Sequence, residues 1–466
     1  MKAFFLVLLS VVFSISSFAQ EITGQWNGVL KVQGVQLRLV FNISKTASGF
    51  SSTMDSPDQG AFGIPVSSTS FENGTLMIAI SNANIKYEGS LGDDQVVIGV
   101  FTQAGQSFPM NLSREEIKKQ ETKRPQEPVK PYPYEAENVT FDNEQAGITL
   151  AGTLTLPQAS GNFPAVVLIS GSGPQNRDEE LMGHKPFLVL SDYLTKNGIA
   201  VLRFDDRGTA ASQGDFSTAT SADFATDVAA AVKYLKTRTE IDHSHIGLIG
   251  HSEGGLIAPM VANQSEDVDF LVLLAGTGIR GDQLLLAQQA LIGKASGMSP
   301  NQLAENDMIS RKAFEIMVKD QSSEDLKTEM SAYMTQVFRQ IPAENIPGGM
   351  SEEEFVKAQI DQLTSPWMEY FIKYDPVPAL EKVTSPVLAI NGEKDLQVPP
   401  KENLGAIKAA LEKGGNKDIT TVELPGLNHL FQEAQTGAPS EYGTIEQTFS
   451  PLAMEVVLNW IKERVN

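Results

Sequence analysis

Residues 246–260, from Ile246 to Met260, read IGLIGHSEGGLIAPM. Four strand-forming residues lead into Gly-His-Ser-Glu-Gly-Gly, and a helix-compatible run follows. Gly250 and Gly254 flank Ser252 in a Gly-x-Ser-x-Gly pattern, and Gly255 lets helix and sheet approach. Small residues at these positions allow a tight, strained strand-to-helix elbow that lifts a hydroxyl clear of the backbone. The elbow also aims the N-terminus of the next helix at the reaction centre. A serine hydroxyl is a weak nucleophile, so Ser252 needs a base, a group to orient that base, and N–H donors for an oxyanion.

The chain has five histidines, and elimination leaves one as the base. His243 and His245 precede the IGLIG strand and so fall at the sheet edge opposite Ser252. His251 adjoins the nucleophile, and the elbow is expected to turn its side chain away. His184 comes early, after the strand AVVLIS. His429 sits in ELPGLNHLF, a loop directly after the strand ITTVEL and on the same edge as Ser252. The orienting acid should follow a strand lying between the two. SPVLAINGEKDLQVPP supplies that strand and a loop with Glu393 and Asp395; Asp395 is the choice and Glu393 its rival. For the oxyanion, one backbone N–H is expected from Glu253 and a second from the loop GSGPQNRDEE after AVVLIS. There Gly171 and Gly173 let the backbone come close, and Ser172 is assigned the second donor with Gly173 as the near alternative.

Working outward, strands alternate with helical patterns from Asn138 onward, which predicts a mostly parallel sheet with helices on both faces. One gap of about 110 residues separates FLVLLA, ending at Ala275, from PVLAIN, starting at Pro386. It is strongly helical, with capping boxes at Ser299 to Gln302 and Ser351 to Glu354. An insertion of this length at a strand's C-terminal end predicts a helical cap over residues 280–380. Methionines 298, 308, 317, 330 and 334 in that cap are read as packing or as an acyl pocket.

From Ile22 to Ser113 only strands and turns are legible. QLRLVFNI alternates, and FENGTLMIAI carries an Asn73-Gly74 hairpin signal. These residues predict a small all-β domain, a barrel or a sandwich, over residues 20–113, with Trp26 in its core. Residues 114–137 are charged and interrupted by Pro125, Pro128, Pro131 and Pro133, which predicts a linker with room for a short helix over Glu115 to Thr122.

The first residues, MKAFFLVLLSVVFSISSFAQ, combine Lys2, a short apolar run and a Ser-Phe-Ala cleavage site. This predicts a signal peptide over residues 1–19, and export to a bacterial periplasm or beyond. A formal net charge of −21 repels polyanions, so neither nucleic acid nor an anionic membrane surface is an expected partner. The chain has no cysteine, which excludes disulfides, thiolate metal sites and a cysteine nucleophile. His243-Ser244-His245 lacks a nearby third ligand and is read as loop. Asp205 and Asp206 are read as partners of Arg203 or Arg207.

With these residues in view, 138–466 resembles an α/β-hydrolase. The segments GSGPQNRDE, RFDDRGTAAS, GHSEGG, GEKD and PGLNH resemble the EstD-like carboxylesterase branch, close to serine-aminopeptidase-like hydrolases. The order Ser252, Asp395, His429 is the order of that fold. The resemblance implies a serine esterase with a helical cap acting on short acyl esters, with no cofactor or metal. One departure stands out: the family's Arg-Gly-x-Gly-x-Ser loop has Ala210 in place of its second glycine. The expected partner is a small-molecule ester, and a homo-oligomer stays open. A serine peptidase and a non-catalytic binding protein on a hydrolase scaffold are the competing readings. GQWNG near residue 26 resembles the Gly-x-Trp opening of lipocalin-like barrels.

Overall fold

The computed structural model describes residues 22–32, 35–47, 49–59, 61–81, 85–92, 94–103, 106–118, 124–319, 321–339 and 352–465. The expected signal peptide and Ser351, the cap residue of the second capping box, lie outside them. The chain divides into two compact units.

The first unit is all antiparallel. Its strands are β1 (Gly24–Val32), β2 (Val35–Thr46), β3 (Gly49–Ser56), β4 (Ala61–Pro65), β5 (Ser68–Glu72), β6 (Thr75–Ile80), β7 (Ile85–Leu91), β8 (Val97–Gln103), β9 (Gln106–Pro109) and β10 (Leu112–Ser113). Short β10 pairs with both β1 and β8, which closes the sheet into a barrel rather than a sandwich. The hairpin at Asn73-Gly74 joins β5 to β6, and both residues take positive φ, 50° and 78°, as a two-residue primed turn requires. Alternation fills the interior: Leu39, Phe41 and Ile43 from β2, and Leu76, Ile78 and Ile80 from β6, are all buried. Trp26 is fully buried among them, its Nε1–H donating to the Ile22 carbonyl at 2.6 Å. The described residues 115–118 are not helical, and the rest of the expected short helix lies outside the description.

The second unit is built on an eight-stranded sheet. Its strands are β11 (Glu135–Asn143), β12 (Ile148–Leu156), β13 (Phe163–Ile169), β14 (Ala200–Phe204), β15 (Ile241–His251), β16 (Phe270–Leu274), β17 (Val387–Gly392) and β18 (Ile419–Leu424), in the spatial order β11-β12-β14-β13-β15-β16-β17-β18. The first two strands pair antiparallel and β12 meets β14 antiparallel; the remaining neighbours are parallel. Strands β14, β16 and β17 are buried along their whole length, as a sheet covered on both faces demands. Strand β11 begins at Glu135, inside the stretch expected to be linker. It is a polar edge strand with only Phe141 and Asn143 buried, so hydropathy gave no sign of it.

Helices α1 (Pro186–Lys196), α2 (Ser221–Leu235), α3 (Glu253–Ala262), α10 (Pro400–Lys413) and α11 (Pro451–Val465) flank the sheet. Two apolar cores result: one includes Val167, Leu248, Leu271 and α2, and the other includes Val166, Ile249, Val272 and α11. Between β16 and β17 stand α4 (Gly281–Ala295), α5 (Pro300–Met317), α6 (Ser323–Phe338), α7 (Glu352–Leu363), α8 (Pro366–Lys373) and α9 (Val377–Leu380). Ser299 and Gln302 form the expected capping box on α5. Met317, Met330 and Met334 pack with Phe314 and Ile372 in the core of these helices, whereas Met308 is exposed.

Candidate active site

The chain leaves β15 at His251 and enters α3 at Glu253, so the turn falls on Ser252. Its φ of 54° and ψ of −114° lie in a region that costs a non-glycine residue about 1–3 kcal/mol. Close packing holds the turn there. A Cβ on Gly250 would lie 2.0 Å from the Gly254 carbonyl oxygen, and one on Gly254 would lie 2.2 Å from that of Ile169. The Ser252 N–H donates to the Leu274 carbonyl at 2.8 Å, which pins the elbow to the neighbouring strand. Ser252 is half-buried between buried His251 and Glu253.

His429 and Asp395 come together from loops after β18 and β17. The His429 Nδ1–H donates to Asp395 Oδ2 at 2.8 Å. The second carboxylate oxygen, Oδ1, accepts the N–H groups of Gln397 and Val398, each at 2.8 Å. Three donors on a side chain with no exposed surface fix its direction and leave His429 Nε2 as the free ring nitrogen. Glu393, the rival acid, is exposed and accepts the Gly426 N–H instead. His184 is placed elsewhere. It is buried, donating from Nε2 to the Tyr442 carbonyl at 2.8 Å while Thr448 Oγ1 donates to Nδ1 at 3.0 Å. Desolvation pulls its pKa down to about 4. His243 and His245 lie in the first half of β15 and bond locally, to the Arg238 carbonyl and to Asp242.

The side chain of His251 is not turned away from the site. Its ring lies 4.8 Å from that of His429, centroid to centroid, and its Nε2 contacts the His429 carbonyl at 3.0 Å. The expectation failed because the elbow at Ser252, with φ 54° and ψ −114°, leaves the preceding side chain against the loop after β18, where it meets the His429 carbonyl. His251 Nδ1 contacts Glu179 Oε1 at 2.8 Å, and the same oxygen accepts the Gly171 N–H at 2.7 Å. Desolvation opposes charge on His251, but Glu179, the His429 carbonyl and Asp395 together outweigh it and hold the imidazole above its usual pKa.

The loop after β13 runs against the elbow, where a Cβ on Gly171 would lie 3.2 Å from that of Ser252. The Gly171 N–H is committed to Glu179, and Gly173 takes a φ of 98°. Glu253 is the first residue of α3, so its N–H has no acceptor within the helix. The Ser172 side chain lies near the Glu253 carboxyl and weakly favours its ionised form, which sets one expected oxyanion donor beside the other. That carboxyl also accepts from Ser221 Oγ at 2.6 Å and from Trp367 Nε1, on α8, at 2.8 Å. Burial raises its pKa.

Asp205 and Asp206 have other partners than expected. Asp205 pairs with Arg177 at 2.6 Å and accepts that residue's N–H, whereas Asp206 accepts from Ser170 Oγ at 2.7 Å and from the Gln175 N–H at 2.9 Å. Arg203 turns to Asp178, and Arg207 to Asp227 at 2.7 Å. The two aspartates therefore hold the loop over residues 170–177, and burial pushes Asp206 up to about 7. Ala210 has a φ of 47°, so the backbone keeps the glycine-like conformation of the motif without the glycine. Ser212, the last residue of that motif, bridges the Ala151 N–H and the Asp205 carbonyl at 2.9 and 2.7 Å.

A family model described as X-Pro dipeptidyl-peptidase (S15 family) matches residues 146–413, more than half of the chain. Esterase EstD of Thermotoga maritima is 28% identical over 324 residues, covering 67% of this chain and 64% of that protein, so the match spans just under two thirds of that relative. A bifunctional esterase/perhydrolase of Acinetobacter calcoaceticus is 26% identical over 255 residues, 51% of this chain and 77% of the other. Among solved structures, an esterase of Pyrococcus furiosus superposes with a TM-score of 0.44 at 16% identity, over 75% of this chain and 100% of that one. By the family match, the chain belongs to the X-Pro dipeptidyl-peptidase (S15) family, a serine hydrolase family with the α/β-hydrolase fold.

Proposed function

We propose that the protein is an exported serine hydrolase of carboxylic esters with short acyl chains, working through Ser252, His429 and Asp395. The observation that carries the reading is the Asp395–His429 bond, with the His429 backbone held by the residue that immediately precedes Ser252. In this mechanism His429 Nε2 takes the Ser252 proton as the hydroxyl attacks the ester carbonyl. Asp395 fixes the tautomer and stabilises the imidazolium. The amides of Glu253 and of Ser172, with Gly173 as the alternative, face the oxyanion. His429 then protonates the leaving alcohol, and in the second half-reaction it deprotonates the water that releases the acid. The esterase names of the two relatives support an ester substrate. Export rests on the N-terminal sequence.

The family description favours a second reading, a peptide bond on the same machinery. The Glu253 carboxylate, the acid next to Ser252 that could hold a free amine, argues against it here. It is 2% exposed, already accepts from Ser221 and Trp367, and is made harder to ionise by burial. The test is the ratio of kcat/KM for a short-chain nitrophenyl ester to that for an X-Pro nitroanilide, with Ser252→Ala as blank. A ratio far beyond leaving-group chemistry supports the esterase, and comparable rates support the peptidase. Failure of a fluorophosphonate to label Ser252 would return the chain to a binding role.

A further inference from the structure

His251 and Glu179 have no part in the mechanism above, yet they sit directly behind it. Glu179 follows the loop that carries Gly171, Ser172 and Gly173. His251 closes β15, and its other ring nitrogen reaches the loop of His429. One side-chain pair thus touches all three backbone segments that must meet at the reaction centre. Its contacts are short: 2.7 Å from the Gly171 N–H to Glu179 Oε1, 2.8 Å from that oxygen to His251 Nδ1, and 3.0 Å from His251 Nε2 to the His429 carbonyl. Both residues are buried, Glu179 to 4% and His251 to 6% exposure.

The hydrogen bonds constrain the protons. A carbonyl oxygen only accepts, so His251 Nε2 must carry hydrogen. Glu179 Oε1 accepts the Gly171 N–H, and an oxygen bearing its own proton is a poor second acceptor, which favours hydrogen on Nδ1 as well. A ring with both nitrogens protonated is a cation. We infer that Glu179 and His251 form a buried ion pair that positions the oxyanion loop and the His429 backbone against Ser252. The inference rests on the proposed roles of Ser252 and His429. Neither residue touches substrate; both are positioning residues.

Three groups face the imidazole: Glu179, the ring of His429, and, across that ring, Asp395. Asp206 adds a further acid near Glu179. Glu179 and Asp395 both favour the charged form of His251, and the upward direction of its pKa agrees. A buried cation whose counter-charge is removed is strongly destabilised. Glu179→Gln should therefore drive His251 to the neutral ring and break one of its two bonds. The loops that aim the base and the oxyanion donors then loosen, while the surface that binds substrate is untouched.

The experiment is NMR of isotope-labelled histidine on the full chain, with His251 assigned by its loss in His251→Gln, alongside steady-state kinetics on a short-chain ester. The expected result is a doubly protonated His251 ring well above the free-histidine value of about 6.5, becoming neutral in Glu179→Gln. In that variant kcat should fall about 10- to 100-fold, as slight misplacement of reacting groups does, with KM changing far less. Glu179→Asp should restore part of the rate. A neutral His251 in the wild-type protein overturns the inference, and so does an unchanged kcat in Glu179→Gln. If that variant does not fold, the wild-type spectrum and the kcat of His251→Gln decide in the same way. Full activity in Ser252→Ala would instead sink the triad, and the protonation state of His251 would still be read directly.

Discussion

At the scale of single residues, the site depends on a few backbone and side-chain positions that no neighbour can replace. Asp395 and Glu393 stand two residues apart in one loop and were not separable by composition. What separates them is the turn of that loop, in which Asp395 accepts two backbone N–H groups with one oxygen and reaches His429 with the other. Asp395→Asn should lower kcat steeply, by about 10⁴-fold where the wrong tautomer of His429 is trapped, and Glu393→Gln should leave it near wild type; kinetics on an ester checks both. Ala210 tests the strain argument. Its left-handed backbone costs an alanine about 1–2 kcal/mol, partly offset by the extra unfolded-state freedom of glycine, about 0.5–1 kcal/mol. Ala210→Gly should raise stability by up to about 1.5 kcal/mol, read as a higher denaturant midpoint at unchanged slope. Sequence pattern placed the strand-to-helix elbow at Ser252 and singled out His429, which the structure joins to Asp395, because a Gly-x-Ser-x-Gly turn carries its own structural context and only five histidines needed sorting. It missed the orientation of His251 and misassigned the partners of Asp205 and Asp206. Those depend on contacts up to 178 residues apart, such as His251 to His429, which no local rule encodes.

At the scale of elements, most of the parallel strands were legible because they are short, largely apolar runs followed by glycine or a polar loop. Strand β11 was not, since a half-exposed edge strand with the sequence EAENVTFDN resembles a linker by composition. The helical insertion was legible from its length and caps. Its attachment to the site was not: Trp367 on α8 reaches across to Glu253, whose carboxyl also holds Ser221 at the start of α2. The ring of Trp367 stacks on Phe371 at 5.1 Å, so Trp367→Phe keeps the stacking partner and deletes one donor. That change should cost about 1–2 kcal/mol, the usual result of leaving a buried acceptor short of a partner. It should also alter the ranking of acyl chain lengths, measured by kcat/KM along a series of nitrophenyl esters. An unchanged ranking would mean that the insertion sets no specificity through this bond.

At the scale of the whole catalytic unit, residues remote in sequence converge to close the fold. Arg124 donates to the carbonyls of Met182, Gly183, Gly443 and Ile445, and Gln126 bonds the backbone of Thr448 and Phe449. His184 belongs to the same junction, 264 residues from Thr448. Its folded pKa, about 4, lies below the ordinary histidine value of 6.5, so the unfolded chain takes up this proton first. Its contribution to stability is therefore complete above about 6.5 and is lost as pH falls toward about 4. His184→Gln should flatten that part of the stability–pH curve, measured by urea unfolding across the window; an unchanged slope would contradict the buried neutral ring.

The measurement that bears most directly on the account is kcat/KM for a short-chain acyl nitrophenyl ester, wild type against Ser252→Ala, with folding of the variant checked by circular dichroism. The account predicts a loss of at least about three orders of magnitude. A folded variant that keeps about a tenth of the wild-type value would contradict the assignment of Ser252 as nucleophile, and with it the mechanism.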